Sequence, residues 1–261
     1  MIIQKALINA GGFGTRMAEL TKEIPKPLLK VNGKAVIDYS IEQFRDVGVQ
    51  EIAISVHHMA DKIQEHCGDG SKWGIKIVYL YEPEPLGTAG CLTLYKNWFD
   101  RPFFMCNADE LRDVDLHHMI REHYRHQSDA TIALTMVEDP TAYGVAELQG
   151  TKIVRFVEKP TREEAPSTLI NSGLYLINHS AVERLPYGYS MIEKDLFPVL
   201  AKENRLQGFI FHGRWNDIGT PERYALAQQE WAGVESTPPL LMEKELVSLS
   251  TSSSTNLLRQ E

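Results

Sequence analysis

The chain has 261 residues, 43% hydrophobic and 24% charged, with 35 acidic against 27 basic side chains and a formal net charge of −8. That length supports one large domain or two small ones, and the acidic balance argues against a nucleic-acid partner, which calls for excess Lys and Arg. Cys67, Cys91 and Cys106 are scattered and lack metal-ligand spacing, and no apolar run has the length of a membrane span or the pattern of a cleaved leader. These features predict a cytoplasmic protein with reduced thiols and no membrane partner.

In chain order, residues 2–9 form an apolar run short enough for a buried strand. It empties into Gly11-Gly12-Phe13-Gly14-Thr15-Arg16, with Pro25-Lys26-Pro27 further on. Residues 28–31 read as a short strand closed by the tight turn Asn32-Gly33. Val36, Ile37, Ile41, Phe44 and Val47 then recur at helical spacing, and Gly48 stands where a helix C-terminus wants it. Residues 52–56, 75–81 and 103–106 read as strands, separated by helices over 60–66 and 88–97. This alternation predicts an α/β fold: a Rossmann-like mixed, mostly parallel sheet flanked by helices, with ligands beyond the strand C-termini.

After a helix over 116–127, in which Leu116, Met119 and Ile120 are core residues, the texture turns β-rich. Residues 131–137, 145–148, 153–158 and 169–177 are strand-like and predict antiparallel additions over one end of the site. Ser190 and Glu193 have capping-box spacing for a helix towards Leu200. Residues 206–211 return as strand, and Thr220-Pro221 opens a last helix that Trp231 anchors. The predicted organisation is one domain over 1–233 and a flexible tail over 234–261, which holds Pro238-Pro239 and a Ser/Thr run.

The glycine loop alone admits two readings at about even odds: a plain strand-to-loop turn, or backbone N–H groups turned towards an anion. Arg16 and Lys26 add a planar fork and a mobile point charge. Four more polar stretches fall in predicted loops: 82–90, 107–109, Glu158-Lys159-Pro160 with Asn171, and 215–220. Singly, each has a structural alternative. Gly87-Thr88-Ala89-Gly90 could be a tight helix start, Asp109 a helix cap, Asp217 a turn former, and Glu158–Lys159 a solvated pair. His57-His58, His117-His118 and His123 with His126 lack cysteines or carboxylates at ligand spacing and default to exposed or capping roles.

Together the stretches follow an order along the chain: Gly-Gly-x-Gly-Thr-Arg, Pro-Lys-Pro, Pro-x-Gly-Thr-Ala, Asn-x-Asp, Tyr-Gly, Glu-Lys-Pro, Asn-x-Gly and Trp-x-Asp-Ile-Gly-Thr-Pro. In this they resemble the sugar-1-phosphate nucleotidyltransferases, from about residue 3 to residue 231. The resemblance implies a glycosyltransferase-A-like nucleotidyltransferase fold and a Mg2+-dependent reaction of an NTP with a sugar 1-phosphate, giving an NDP-sugar and pyrophosphate. It implies Arg16, Lys26 and Asp109 as catalytic groups, and Asp109 with Asp217 as Mg2+ ligands. Ala10, Gly11, Gly12, Gly14, Thr15, Arg16, Glu82, Gly87 and Thr88 would bind the nucleotide. Gly144, Glu158, Lys159 and Asn171 would bind the sugar phosphate. The chemistry suits those residue types. A sugar phosphate is largely dianionic at neutral pH, so attack needs no general base, only positioning and charge neutralisation.

Glu82 stands where thymidylyl and uridylyl relatives tend to place glutamine. A carboxylate offers only acceptors, which suits the adjacent N1–H and N2–H2 donors of guanine and opposes a uracil carbonyl. The stretch through Leu86-Gly87-Thr88-Ala89-Gly90 also resembles the mannose-1-phosphate guanylyltransferases. GTP with mannose or heptose 1-phosphate is therefore the favoured pair. Thymidylyl, uridylyl or cytidylyl transfer to glucose or an amino-sugar 1-phosphate is the alternative, a catalytically silent nucleotide-sugar-binding regulator is a third reading, and homo-oligomerisation is left open. Glu19 and Ala108 depart from the proline and glycine frequent in relatives. A dinucleotide-dependent dehydrogenase would need Gly-x-Gly-x-x-Gly, and a P-loop NTPase Gly-Lys-Ser/Thr; neither follows the first strand.

Overall fold

The first strand, β1 (Lys5–Asn9), buries Ala6, Leu7 and Ile8 completely because it lies inside a nine-stranded sheet. The computed structural model describes residues 2–231, so the tail expected over 234–261 falls outside the described residues. After β1 the glycine loop leads into a single turn, α1 (Ala18–Thr21). Next comes a small hairpin, β2 (Lys30–Val31) and β3 (Lys34–Ala35). Its turn residues Asn32 and Gly33 have φ of 49° and 78°, the left-handed pair that a two-residue hairpin requires. The strand expected over 28–31 is shorter than predicted. Lys26–Leu28 form a 3-10 turn, and Pro27 has no N–H to give to a ladder.

α2 (Val36–Asp46) buries the predicted stripe, and Gly48 follows it at φ 95°. β4 (Glu51–Val56), α3 (Ala60–Cys67), β5 (Lys76–Tyr81), α4 (Gly90–Leu94) and β6 (Phe103–Asn107) complete the alternating half. In it β5, β4, β1 and β6 pair in that order, all parallel. α4 is shorter than the helix expected over 88–97. Ile192 N donates to Thr88 Oγ1 at 2.9 Å and Ala89 N donates to the Ser190 carbonyl at 2.9 Å, which draws the first turn out of helical geometry.

The second half holds β7 (Glu110–Arg112), α5 (Leu116–Arg125), β8 (Ala130–Met136), β9 (Gly144–Gln149), β10 (Lys152–Glu158), β11 (Leu169–Ile177), α6 (His179–Val182), α7 (Phe197–Lys202), β12 (Leu206–Ile210), β13 (Trp215–Asp217) and α8 (Pro221–Glu230). The sheet continues β6-β11-β8-β12-β10-β9, with β8–β12 parallel and the other neighbours antiparallel. β9 also touches β11 where Ile170 faces Val145, so this end curls back on itself. The sheet is mixed, as expected, but less parallel than "mostly parallel" implied, because the antiparallel strands extend the main sheet itself. Helices flank both faces of the sheet, and the period-two strand pattern divides its side chains between them. Ile8 and Phe104 pack with Ile41 and Phe44 on one face, and Leu7 and Phe103 with Phe197 and Leu200 on the other.

Ser190 does not cap a helix. Residues Ile192–Leu196 make a π-helical turn, Asp195 Oδ2 accepts from Met191 N at 2.7 Å, and Glu193 reaches away to Thr88. β7 and β13 form a separate antiparallel ribbon that sets Asp217 opposite Glu110. Neither three-residue strand has enough alternation to be read from sequence. A third apolar cluster joins Met17, Leu29, Val31 and Val36 to Leu111, Ile218, Ala227 and Trp231.

Candidate active site

Four parallel strands, β5, β4, β1 and β6, end on one edge of the sheet, and a cavity of about 490 Å3 opens there. The glycine loop enters it after β1, Glu82 after β5, and Ala108 and Asp109 after β6. Every site residue expected from sequence lines this cavity: Ala10, Gly11, Gly12, Gly14, Thr15, Arg16, Lys26, Glu82, Gly87, Thr88, Asp109, Gly144, Glu158, Lys159, Asn171 and Asp217. Residues up to 207 positions apart in the chain therefore share one enclosure.

Asn9 is the hub of the glycine-loop wall. Its Nδ2 donates to the Thr88 carbonyl at 3.0 Å, its Oδ1 accepts from Ser55 Oγ at 3.3 Å, and its carbonyl accepts from Ala108 N at 3.1 Å. Gly14 turns the loop at φ 62°, and its carbonyl accepts from Met17 N at 2.8 Å. Gly12 differs: a Cβ there would meet nothing within 4 Å, so packing does not demand the glycine. Gly87, at φ 77°, is packed so closely that a Cβ would overlap the Ser190 carbonyl. Glu82 lines the same wall, and its Oε2 accepts from Leu86 N at 3.2 Å. Burial raises the Glu82 carboxyl, against the opposing pull of that N–H.

At the junction of the two halves, Lys26 Nζ donates to Asp109 Oδ2 in a close ion pair. Asp217 Oδ1 accepts from Gly219 N at 2.8 Å and Oδ2 from Tyr143 Oη at 2.9 Å, while Arg223 Nη1 lies 3.1 Å from both oxygens. Ile218 N donates to the Asp109 carbonyl at 3.0 Å, which fixes the two aspartate segments side by side. On the other wall, Lys159 N donates to the Tyr143 carbonyl at 2.9 Å, and Lys159 Nζ lies 3.3 Å from Glu158 Oε1. Asn171 lines this wall too, though its amide serves its own strand: Oδ1 accepts from Gly173 N and Nδ2 donates to Tyr175 Oη, both at 2.9 Å.

Comparison with known proteins turns this geometry into an assignment. A family model described as nucleotidyl transferase matches residues 5–232. The chain belongs to the nucleotidyl transferase family. Mannose-1-phosphate guanyltransferase beta-B of Xenopus laevis is 38% identical over 226 residues, covering 84% of this chain and 62% of that protein. The mannose-1-phosphate guanyltransferase of Gibberella zeae is 37% identical over 227 residues, with the same coverage. The chain thus spans about 62% of the length of these curated relatives. Among solved structures, HddC from Yersinia pseudotuberculosis complexed with GMP-PN matches with a TM-score of 0.73 at 28% identity, over 87% of this chain and 99% of that one. The α/β nucleotidyltransferase fold expected from sequence is the fold of the chain.

Several lining residues of this family member carry no recognisable motif of their own. Glu110 is buried, with Oε1 accepting from Asn107 Nδ2 at 2.8 Å and Oε2 from Trp215 Nε1 at 3.0 Å. Burial raises its carboxyl above the usual carboxylate range, although the Arg112 guanidinium pulls the other way. Glu193 accepts from Thr88 Oγ1 at 2.6 Å, and burial raises it as well. Asn9, Ser55, Glu110 and Arg223 could have been found by one signal: each lies in or beside a strand end or motif that the topology aims at this edge, whereas Glu193 sits in the π-helical turn.

Among the described residues no group of three or more His, Cys, Asp or Glu is placed to hold a metal. Asp109 and Asp217 lie on adjoining backbone segments and both line the cavity, an oxygen-only pair of the kind that suits Mg2+ when substrate phosphates and water complete its shell. The residues fit the group.

Proposed function

We propose that this chain transfers a guanylyl group from GTP to mannose 1-phosphate, or to a heptose 1-phosphate, releasing pyrophosphate. The observation that carries the reading is the junction itself: Lys26–Asp109 and Asp217 stand between a glycine-rich wall and the Glu158–Lys159 wall of one cavity. Three of the comparison proteins bear names or ligands of guanine-nucleotide chemistry, which supports the choice of base.

In this reading the backbone from Ala10 to Thr15 and the Arg16 guanidinium hold the triphosphate, and Arg16 steadies charge on the departing pyrophosphate. Lys26 screens the reacting phosphates, and Lys159 holds the sugar phosphate while Glu158 accepts from sugar hydroxyls. The sugar-phosphate oxygen attacks the α-phosphorus in line as the bridging bond to pyrophosphate breaks, so no proton moves. Asp109 and Asp217 would hold Mg2+, which would supply Lewis-acid neutralisation of the reacting phosphates' charge. We place the enzyme in the cytoplasm; all three cysteines are free and buried.

The test is pyrophosphate release from a matrix of GTP, UTP, dTTP, CTP and ATP against mannose, heptose, glucose and amino-sugar 1-phosphates. GTP with mannose or heptose 1-phosphate is expected to give the highest kcat/KM, and Asp109→Asn to lower kcat at least ~100-fold. A better rate with another nucleotide overturns the base assignment, and an unaffected Asp109→Asn overturns the mechanism. Glu82→Gln is expected to move preference from GTP towards UTP or dTTP by about tenfold or more, since the amide replaces an acceptor with a donor.

A further inference from the structure

Two guanidinium groups converge on one side of Asp217. A methyl group built on Gly219 would lie 3.6 Å from Arg223 Nη1 and 3.7 Å from Arg16 Nη2, so both cations flank the same point of the cavity wall. Arg16 comes from the glycine loop, whereas Arg223 comes from the first turn of α8. Its guanidinium stands 4.9 Å from the ring centre of Tyr143, whose carbonyl holds Lys159 N. Arg223 therefore stands beside Arg16 on one hand and, on the other, against the ring of Tyr143, the residue whose carbonyl fixes the Lys159 backbone.

The hydrogen bonds of Arg223 use little of its capacity. Only Nη1 is engaged, on the two oxygens of Asp217; Nε and Nη2 have no protein partner among the described residues. The side chain is 30% exposed and lines the cavity. A planar fork with free donors, facing an enclosure between two phosphate-binding walls, suits phosphate oxygens better than a structural ion pair. Asp217 does not need Arg223 to stay in place, because Tyr143 Oη and Gly219 N already anchor one oxygen each.

We propose that Arg223 is a substrate ligand that binds the phosphate of the sugar 1-phosphate, opposite Lys159. The inference rests on the nucleotidyl-transfer reading above. It also assigns a competition: Arg223 and a divalent cation draw on the same Asp217 oxygens, so each lowers the other's hold on them.

Two variants of the full chain, Arg223→Gln and Arg223→Lys, test this with two readouts. Steady-state rates at saturating GTP are expected to show KM for mannose 1-phosphate raised about 10- to 100-fold in Arg223→Gln, KM for GTP changed less than threefold, and part of the loss recovered in Arg223→Lys. Mn2+ binding to the protein alone, followed by electron paramagnetic resonance, is expected to tighten severalfold in Arg223→Gln. Equal rises in both KM values, or Mn2+ binding that weakens, would show that Arg223 merely supports Asp217 and would overturn the proposal. Titration of mannose 1-phosphate into both proteins by calorimetry separates this failure from that of the parent reading. A wild-type chain without turnover refutes the reaction, whereas sugar-phosphate affinity unchanged in Arg223→Gln refutes the ligand.

Discussion

Gly12 and Gly87 look alike in sequence and serve different ends. At Gly12 an added methyl meets nothing, so Gly12→Ala is expected to leave thermal stability within ~0.5 kcal/mol of wild type while raising KM for the nucleotide several-fold. At Gly87 the positive φ and the Ser190 carbonyl both oppose a side chain, and Gly87→Ala is expected to cost about 1–3 kcal/mol. Melting curves beside nucleotide kinetics would show whether the two effects separate in this way. If Gly12→Ala lowered stability as much as Gly87→Ala, the role of Gly12 as an approach surface would be wrong. A sequence pattern marks both as glycines; only the surroundings say whether the missing side chain makes room for the protein or for its substrate.

The elements that carry the site are joined by polar clamps as well as by packing. Asp129, just before β8, accepts from Arg205 Nε and Nη2 at 3.0 and 2.7 Å and from Ser180 Oγ at 3.1 Å, with Arg184 also paired to it. This ties the start of β12 and helix α6 to the edge of β8. Burial alone would raise the Asp129 carboxyl, but the two guanidinium groups win and hold it at about 2. A carboxyl depressed in the folded state contributes stability above its unfolded pKa near 3.8, and loses it as pH falls towards 2. Asp129→Asn is therefore expected to cost roughly 1–2 kcal/mol at pH 7, after allowing for the partly exposed arginines, and progressively less below pH 4. Urea unfolding of both proteins at pH 7 and pH 3 would check the convergence; a gap that is independent of pH would mean the ion pairs are not its source.

Across the whole molecule, the third apolar cluster closes the chain on itself. Trp231 is 4% exposed, its Nε1 donates to Asn216 Oδ1 at 2.5 Å, and it packs with Met17 beside Arg16 and with Ile218 beside Asp217. Stability and catalysis should therefore fall together when it is cut away. Trp231→Ala is expected to cost about 3–5 kcal/mol, roughly 10 °C in Tm for a chain of this size, and to lower kcat even at temperatures where the protein stays folded. Differential scanning calorimetry with activity measured well below the transition would test it; full kcat in a destabilised protein would show that the cluster holds the fold but not the site.

Much of this protein could be read from residue order. The apolar runs and glycine stops marked β1, β4, β5, β6 and α2, because burial on a sheet or helix face leaves a periodic trace in the chain. The ordered short motifs marked nearly all the residues expected at the cavity, Ala10 and Glu82 excepted, because phosphate chemistry restricts which residue types serve. Other features had no local trace. The π-helical turn at Ile192, the shortened α4 and the β7–β13 ribbon depend on contacts between segments roughly 100 residues apart, and the placing of Arg223 on its meeting with Tyr143 and Arg16. Sequence alone determined the family and the strand ends that carry its motifs. The tertiary structure alone decided which charges face one another, since Coulomb and hydrogen-bond terms act through space and leave no period along the chain.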